Sequence, residues 1–197
     1  MNYIEASYND VVDLLVKNNI VCIFQGRTEA GPRALGNRSV LYDPRDSGAL
    51  RKVNAAKNRQ WWRPFAASVL EEHAAGWFEM LTLKSSPYMM YAIPVKEDKK
   101  ELIPGVVHVD GTCRIQTVTE EQNYHYYHLI KTFYEETGIP MLFNTSLNLG
   151  GQVICHTIYD TYDMLHRSSI EYVYQPEEQK IVHIPNQVNV AGQTCLS

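Results

Sequence analysis

The chain has 197 residues, 45% hydrophobic and 20% charged, with a formal net charge of −4. That length allows one domain, two at most, and a core large enough to need no disulfide or metal support. The acidic balance argues against general nucleic-acid affinity, and no apolar run approaches the roughly 18 residues of a membrane span. Cys22, Cys113, Cys155 and Cys195 lie far apart with no C-x-x-C, the pattern of reduced thiols in a cytoplasmic protein. Met1–Glu5 has neither the basic nor the apolar region of a signal peptide.

Taken in order, residues 8–18 place Tyr8, Val11, Val12, Leu14 and Leu15 at amphipathic-helix spacing, with Ser7 as N-cap. Ile20–Phe24 is almost wholly apolar and predicts a buried strand. A glycine- and arginine-rich segment, 26–36, follows it at once, and Arg38–Tyr42 is a second predicted strand, ended by Asp43-Pro44. Residues 47–58 predict a short helix with Leu50, Val53 and Ala56 on one face and Arg51, Asn54 and Lys57 on another. Ala66–Leu70 is a predicted strand, 71–80 a helix, Pro87–Val95 a strand and Lys96–Glu101 a solvated turn. Val106–Asp110 and Cys113–Val118 are predicted strands around Gly111. The clearest helix spans 119–137, with Thr119 and Gln122 as a capping box and Gly138 and Pro140 as its stop; Tyr126, Ile130, Phe133, Tyr134 and Thr137 share a face. Met141–Phe143 is a strand running into Asn144-Thr145-Ser146-Leu147-Asn148. A short helix over 158–167 and strands at Ile170–Tyr174 and Lys180–Ile184 complete a domain of residues 1–184, leaving 185–197 as a polar tail. The alternation predicts an α/β or α+β fold with a mixed sheet.

Charge is concentrated in one window. Between Gly26 and Arg63 stand nine Lys/Arg and three acids, so this stretch carries +6 while the rest of the chain carries −10. Guanidinium forks bind phosphate or carboxylate through two bonds at once, and flanking glycines let backbone N–H groups approach an anion. Gly31 and Gly36 have P-loop spacing, but Asn37 stands where the P-loop lysine would be, so no Walker site is expected. Arg33 and Arg38 make one cationic wall, and Lys57, Arg59 and Arg63 a second. Arg114 follows Asp110-Gly111-Thr112, where a strand end can aim it into a cleft. Asn144 and Ser146 lie at the end of a buried strand, where α/β sheets bind ligands. His108 is placed to orient a ligand; His125 and His128 read as a solvent-facing pair, and no protein-held metal site is expected.

These blocks resemble a known family, the O-carbamoyltransferases. Gly26-Arg27-Thr28-Glu29-Ala30-Gly31-Pro32-Arg33-Ala34-Leu35-Gly36-Asn37-Arg38-Ser39 looks like its signature. Asn54 to Phe65, Ser86 to Met89, His108 to Val118 and Thr137 to Asn148 are similar to further blocks in the same order. Ala30, Leu147 and Gln152 depart from the family's usual Phe, Phe and Glu. The resemblance is to the family's C-terminal part and implies a YrdC-like fold, a twisted open mixed sheet with flanking helices. It implies that ATP and carbamoyl phosphate are the substrates, with Mg²⁺ on the nucleotide, and that the product is carbamoyl-adenylate, with phosphate and pyrophosphate released. Arg33, Lys57, Arg63 and Arg114 are the implied catalytic residues, and Arg38, His108, Asn144 and Ser146 the implied binding residues. Transfer to an acceptor hydroxyl or amine would need an actin-like, metal-binding partner domain. A non-catalytic nucleotide- or RNA-binding module and an accessory subunit remain the alternatives.

Overall fold

The computed structural model describes residues 2–185. In chain order its elements are β1 (Asn2–Glu5), α1 (Tyr8–Val16), β2 (Val21–Phe24), β3 (Arg38–Tyr42), α2 (Ala49–Ala56), β4 (Ala66–Leu70) and α3 (Glu71–Trp77). They continue with β5 (Ala92–Pro94), β6 (Thr112–Val118), α4 (Tyr124–Thr137), β7 (Met141–Ser146), α5 (Ile158–His166), β8 (Tyr172–Gln175) and β9 (Lys180–His183). The strands form one open sheet in the order β1-β9-β8-β2-β3-β7-β4-β6-β5. The β2–β8 and β4–β6 pairs are parallel and the others antiparallel, so the expected α/β mixed sheet is the observed architecture.

The central strands read as apolar runs because both faces are covered. Every residue of β3 and β4 is buried. Helix α4 packs on β4, β7 and α1, burying Tyr126, Leu129, Ile130 and Phe133. At the start of α1 the Ser7 hydroxyl accepts from the Asp10 N–H while the Asp10 carboxylate accepts from the Ser7 N–H, a reciprocal cap. Gly138 ends α4 in the left-handed region, φ 74°.

Several expectations are corrected. The helix expected from residue 119 begins at Tyr124; Thr119 and Gln122 do exchange side-chain bonds, but they close a turn, and Asn123 caps the helix through the Tyr126 N–H. Val106–Asp110 is not a strand. The Val106 N–H donates to Ile103 and the Gly111 N–H to His108, so Pro104-Gly105 and Asp110-Gly111 fold this stretch into turns. The strand expected over 87–95 shrinks to three residues, with Met89 at φ 53°. Glu97–Leu102 winds into a 3-10 helix rather than a turn. Strand β1 was not expected: Asn2–Glu5 lacks an apolar run, and its pairing with β9 along the sheet edge supplies the order. The tail expected over 185–197 lies, from 186 onward, outside the described residues.

Register sets up the site. Asn144 of β7 pairs with Ala66 of β4, and Ala66 with Arg114 of β6, so these three residues form one row across the sheet. Gly36 brings the loop after β2 down onto α4. Its φ is 108°, and a Cβ there would lie 2.2 Å from Cδ1 of Tyr126. Gly36→Ala is expected to destabilise the fold by about 3 kcal/mol, read as a lower urea midpoint with unchanged slope. An unshifted midpoint would show that the loop accommodates the methyl group.

Candidate active site

The loop between β2 and β3 has no regular structure, yet its backbone groups are taken one by one. Three successive carbonyls accept from three amide side chains: Asn144 Nδ2 to Ala34 O at 3.1 Å, Gln116 Nε2 to Leu35 O at 2.9 Å, and Gln25 Nε2 to Gly36 O at 2.7 Å. Glu29 Oε1 accepts from the N–H of Leu35 at 2.7 Å, Asn37 at 2.8 Å and Arg38 at 3.3 Å. The loop is thus fixed, and it presents Arg33. A second segment, 59–65, leads into β4. Buried Asn54 of α2 donates to Trp61 O at 3.1 Å and Arg63 O at 3.0 Å, which shapes that turn.

Between the two segments and the sheet lies a cavity of about 250 Å³, lined by Arg33, Arg59, Arg63 and Arg114. Asn144, Thr145, Ser146 and Met89 also line it. The lining contains no acid. Among the described residues none of the four arginines forms an ion pair. The Nε atoms of Arg33, Arg59 and Arg114 are shielded from solvent and have no hydrogen-bond partner, and neither does Asn144 Oδ1. Burial, then the charges of Arg63 and Arg114, pushes Arg59 down to about 10. Arg114 is lowered by burial and then by Arg33. Cations that depress one another across a cleft make a strong positive field, which an anion relieves.

The eight residues expected at the site do not all meet there. Arg33, Arg63, Arg114, Asn144 and Ser146 line the cavity together. Lys57 stands behind its wall, 1% exposed, with its ammonium donating to Ser146 O and to Asn148 Oδ1 at 3.1 Å. Burial, then Arg59, pushes Lys57 down to about 7. Arg38 is buried, and its guanidinium is occupied by the carbonyls of Gln25, Gly26, Asn37 and His156 and stacks 3.6 Å over the Phe24 ring. It clamps the loop from beneath. The His108 ring bridges Phe65 O at 2.9 Å and Thr112 Oγ1 at 3.1 Å and faces a neighbouring cleft. The helix face expected to carry Arg51, Asn54 and Lys57 together is split: Asn54 and Lys57 point inward and Arg51 is exposed.

Of the second cationic wall expected from Lys57, Arg59 and Arg63, Arg59 and Arg63 line the cavity and Lys57 does not. Glu29, Gln25 and Gln116 carry the scaffold and were not singled out. For Glu29 a signal existed, since it is the one acid between Gly26 and Arg38. Glu29→Ala is expected to speed amide exchange at Leu35, Asn37 and Arg38 by about tenfold or more, while Glu29→Gln, which keeps an accepting oxygen, largely preserves it. Unchanged exchange in the alanine variant would remove Glu29 from the scaffold.

Residues 12–178 match the model of the family described as carbamoyltransferase C-terminus. The chain belongs to that family. It is 46% identical over 138 residues to nodulation protein NolNO of Sinorhizobium fredii, covering 69% of this chain and 20% of that protein. It is 41% identical over 160 residues to protein MJ1058 of Methanocaldococcus jannaschii, covering 80% and 26%, and 39% identical over 154 residues to nodulation protein NolO of Bradyrhizobium diazoefficiens, covering 77% and 28%. The chain therefore spans between a fifth and three tenths of these relatives' length. In fold it is similar to full-length HypF in a phosphate- and nucleotide-bound form, with a TM-score of 0.56 at 15% identity over 83% of this chain and 21% of that one. All eight residues expected at the site fall within the family match.

Proposed function

We propose that this carbamoyltransferase C-terminal domain activates the carbamoyl group, using ATP and carbamoyl phosphate to form carbamoyl-adenylate. The observation that carries the reading is the convergence of Arg33, Arg59, Arg63 and Arg114 on one cavity without an acidic counter-ion. Two phosphorylated substrates are the kind of cargo that such a lining neutralises. In balance, water cleaves carbamoyl phosphate to carbamate and phosphate. A carbamate oxygen then forms a bond to the α-phosphorus of ATP as the bond to pyrophosphate breaks. The chain's residues bind and orient: Arg33, Arg63 and Arg114 spread the phosphoryl charge, Lys57 supports the wall from behind, and Asn144, in the same wall, holds the loop that carries Arg33 through Ala34 O. Ser146 offers its hydroxyl at the same wall, while Arg38 and His108 position the segments beside it. The lining is cationic, which suits the anions and not a bare divalent ion; Mg²⁺ would arrive on the triphosphate and supply further charge neutralisation. Transfer to the acceptor belongs to a further domain, and the chemistry is placed in the cytoplasm.

The purified chain is expected to release pyrophosphate from ATP only when carbamoyl phosphate is present. Failure to bind ATP or release pyrophosphate, both alone and with the remainder of a relative supplied, would sink the reading.

A further inference from the structure

Arg33 enters the cavity on the loop between β2 and β3, and its own side chain does little to fix it. Its Nε has no hydrogen-bond partner, and among the described residues it forms no ion pair. Its place is therefore set by the backbone that follows, where Ala34 O and Leu35 O accept from Asn144 Nδ2 and Gln116 Nε2. The two ends of an amide group are nearly alike in size, so packing does not choose which end faces the loop; hydrogen bonds do. Turned round, either amide would set an oxygen against a carbonyl oxygen. One hydroxyl makes the choice for both. Ser68 of β4 is fully buried and lies opposite Gln116 of β6. Side chains two apart on a strand share a face, so Ser68 and Gln116 lie one row deeper on the face that carries Ala66 and Arg114. Ser68 Oγ donates to Gln116 Oε1 at 2.7 Å and accepts from Asn144 Nδ2 at 2.9 Å.

We propose that Ser68 is a positioning residue: its hydroxyl sets the direction of the Gln116 and Asn144 amides and, through them, the place of Arg33 in the cavity. A hydroxyl has a single proton to give. Given to Gln116 Oε1, it holds that end of the amide inward and leaves Nε2 to face Leu35 O. The Ser68 oxygen then only accepts, which selects Asn144 Nδ2, and the two protons of Nδ2 go to Ser68 Oγ and Ala34 O. The other approach to Gln116 Oε1, from Asn144 Nδ2, is 3.5 Å, too long to hold the amide by itself. Ser68 does not line the cavity, so it acts only through these two side chains. That carbamoyl activation needs Arg33 so placed rests on the reading proposed above; that Ser68 places it rests on the hydrogen bonds alone.

The test uses the full chain with Ser68→Ala, Gln116→Met and the two combined. Two quantities are read on the folded protein: amide exchange at Leu35 and Asn37, and affinity for sulfate by calorimetry. Ser68→Ala is expected to speed the exchange about tenfold and to weaken sulfate binding several-fold, and Gln116→Met to do the same. In the double variant the serine change is expected to add little, because the proton it removes no longer has Gln116 to direct. A serine that only packs the sheet would lower the urea midpoint and leave loop exchange and sulfate affinity unchanged. That result overturns the proposal, as does full additivity in the double variant. Gln116→Met decides by itself if Ser68→Ala does not fold: wild-type exchange at Leu35 with the amide gone overturns the proposal. In pyrophosphate release, Ser68→Ala is expected to raise the KM for carbamoyl phosphate several-fold. A wild-type chain that releases no pyrophosphate counts against the activation chemistry, while exchange and sulfate affinity still decide the role of Ser68.

Discussion

Arg114→Ala is expected to lower pyrophosphate release from ATP and carbamoyl phosphate by about a hundredfold or more while leaving the chain folded. The register places Arg114 in one row with Ala66 and Asn144, at the position of β6 that is paired on both sides, with Ala66 of β4 and Ala92 of β5, so its guanidinium is aimed by the sheet and not by a mobile loop. Its Nε is shielded and without a partner, and its charge is opposed by Arg33. A cation held half-desolvated among other cations costs the unliganded fold, so its removal is expected to leave the melting temperature unchanged or raise it slightly. That combination separates a binding role from a structural one: a merely structural arginine would lose stability and activity together. Arg114→Lys is expected to recover only part of the rate, because a point charge cannot reproduce a planar fork on phosphate. Arg63→Ala, at the opposite wall, is expected to abolish release as well. Near wild-type rates in both alanine variants would move the chemistry out of this cavity.

The fold was legible wherever local pattern and tertiary environment agree. Arg38–Tyr42 and Ala66–Leu70 are strands with the expected bounds, because short apolar runs bounded by turn residues have few other uses in a sheet. The pattern failed where two local signals competed. Thr119 and Gln122 form their bonds, yet Asn123, four residues on, takes the cap, and sequence spacing alone does not rank the two. At 106–110 apolar residues suggested a strand, but flanking Pro104-Gly105 and Asp110-Gly111 fold the chain back before it can pair. At the site, charge counting found the arginines because an uncompensated cluster in an acidic chain is visible in composition. It did not separate guanidiniums facing the cavity from the one consumed by backbone carbonyls. Arg33 and Arg38 look alike in sequence, and only the positions of the Gln25, Gly26 and Asn37 carbonyls show that Arg38 is structural. The amides of Gln25, Gln116 and Asn144 were equally hidden as a set. They come from the end of β2, from β6 and from β7, and their joint grip on residues 34–36 exists only once β2, β3, β7, β4 and β6 are in register.

Lys57 gives the second large effect, a proton taken up when an anion binds. Its amine is buried and faces the charges of Arg59 and Arg63, which bring it down to about 7, against an ordinary lysine value of 10.5. Between those values the unfolded chain holds the extra proton and the folded chain does not, so the stability of the unliganded protein rises with pH across this window. Below about 7 both states are protonated, and this group contributes no slope. A polyanion seated among Arg33, Arg59, Arg63 and Arg114 screens the repulsion and adds attraction, and Lys57 rises. Binding sulfate at about pH 8, where the ligand carries no proton to lose, should therefore draw a proton from buffer, and affinity should fall as pH climbs further. Calorimetry in buffers of different ionisation enthalpy measures this directly: wild type is expected to take up a substantial fraction of a proton, and Lys57→Met none. The same variant is expected to loosen the Thr145–Ser146 wall, because the donor to Ser146 O and Asn148 Oδ1 is gone. Equal uptake by wild type and variant would assign the proton to another group and leave Lys57 as a permanently charged support.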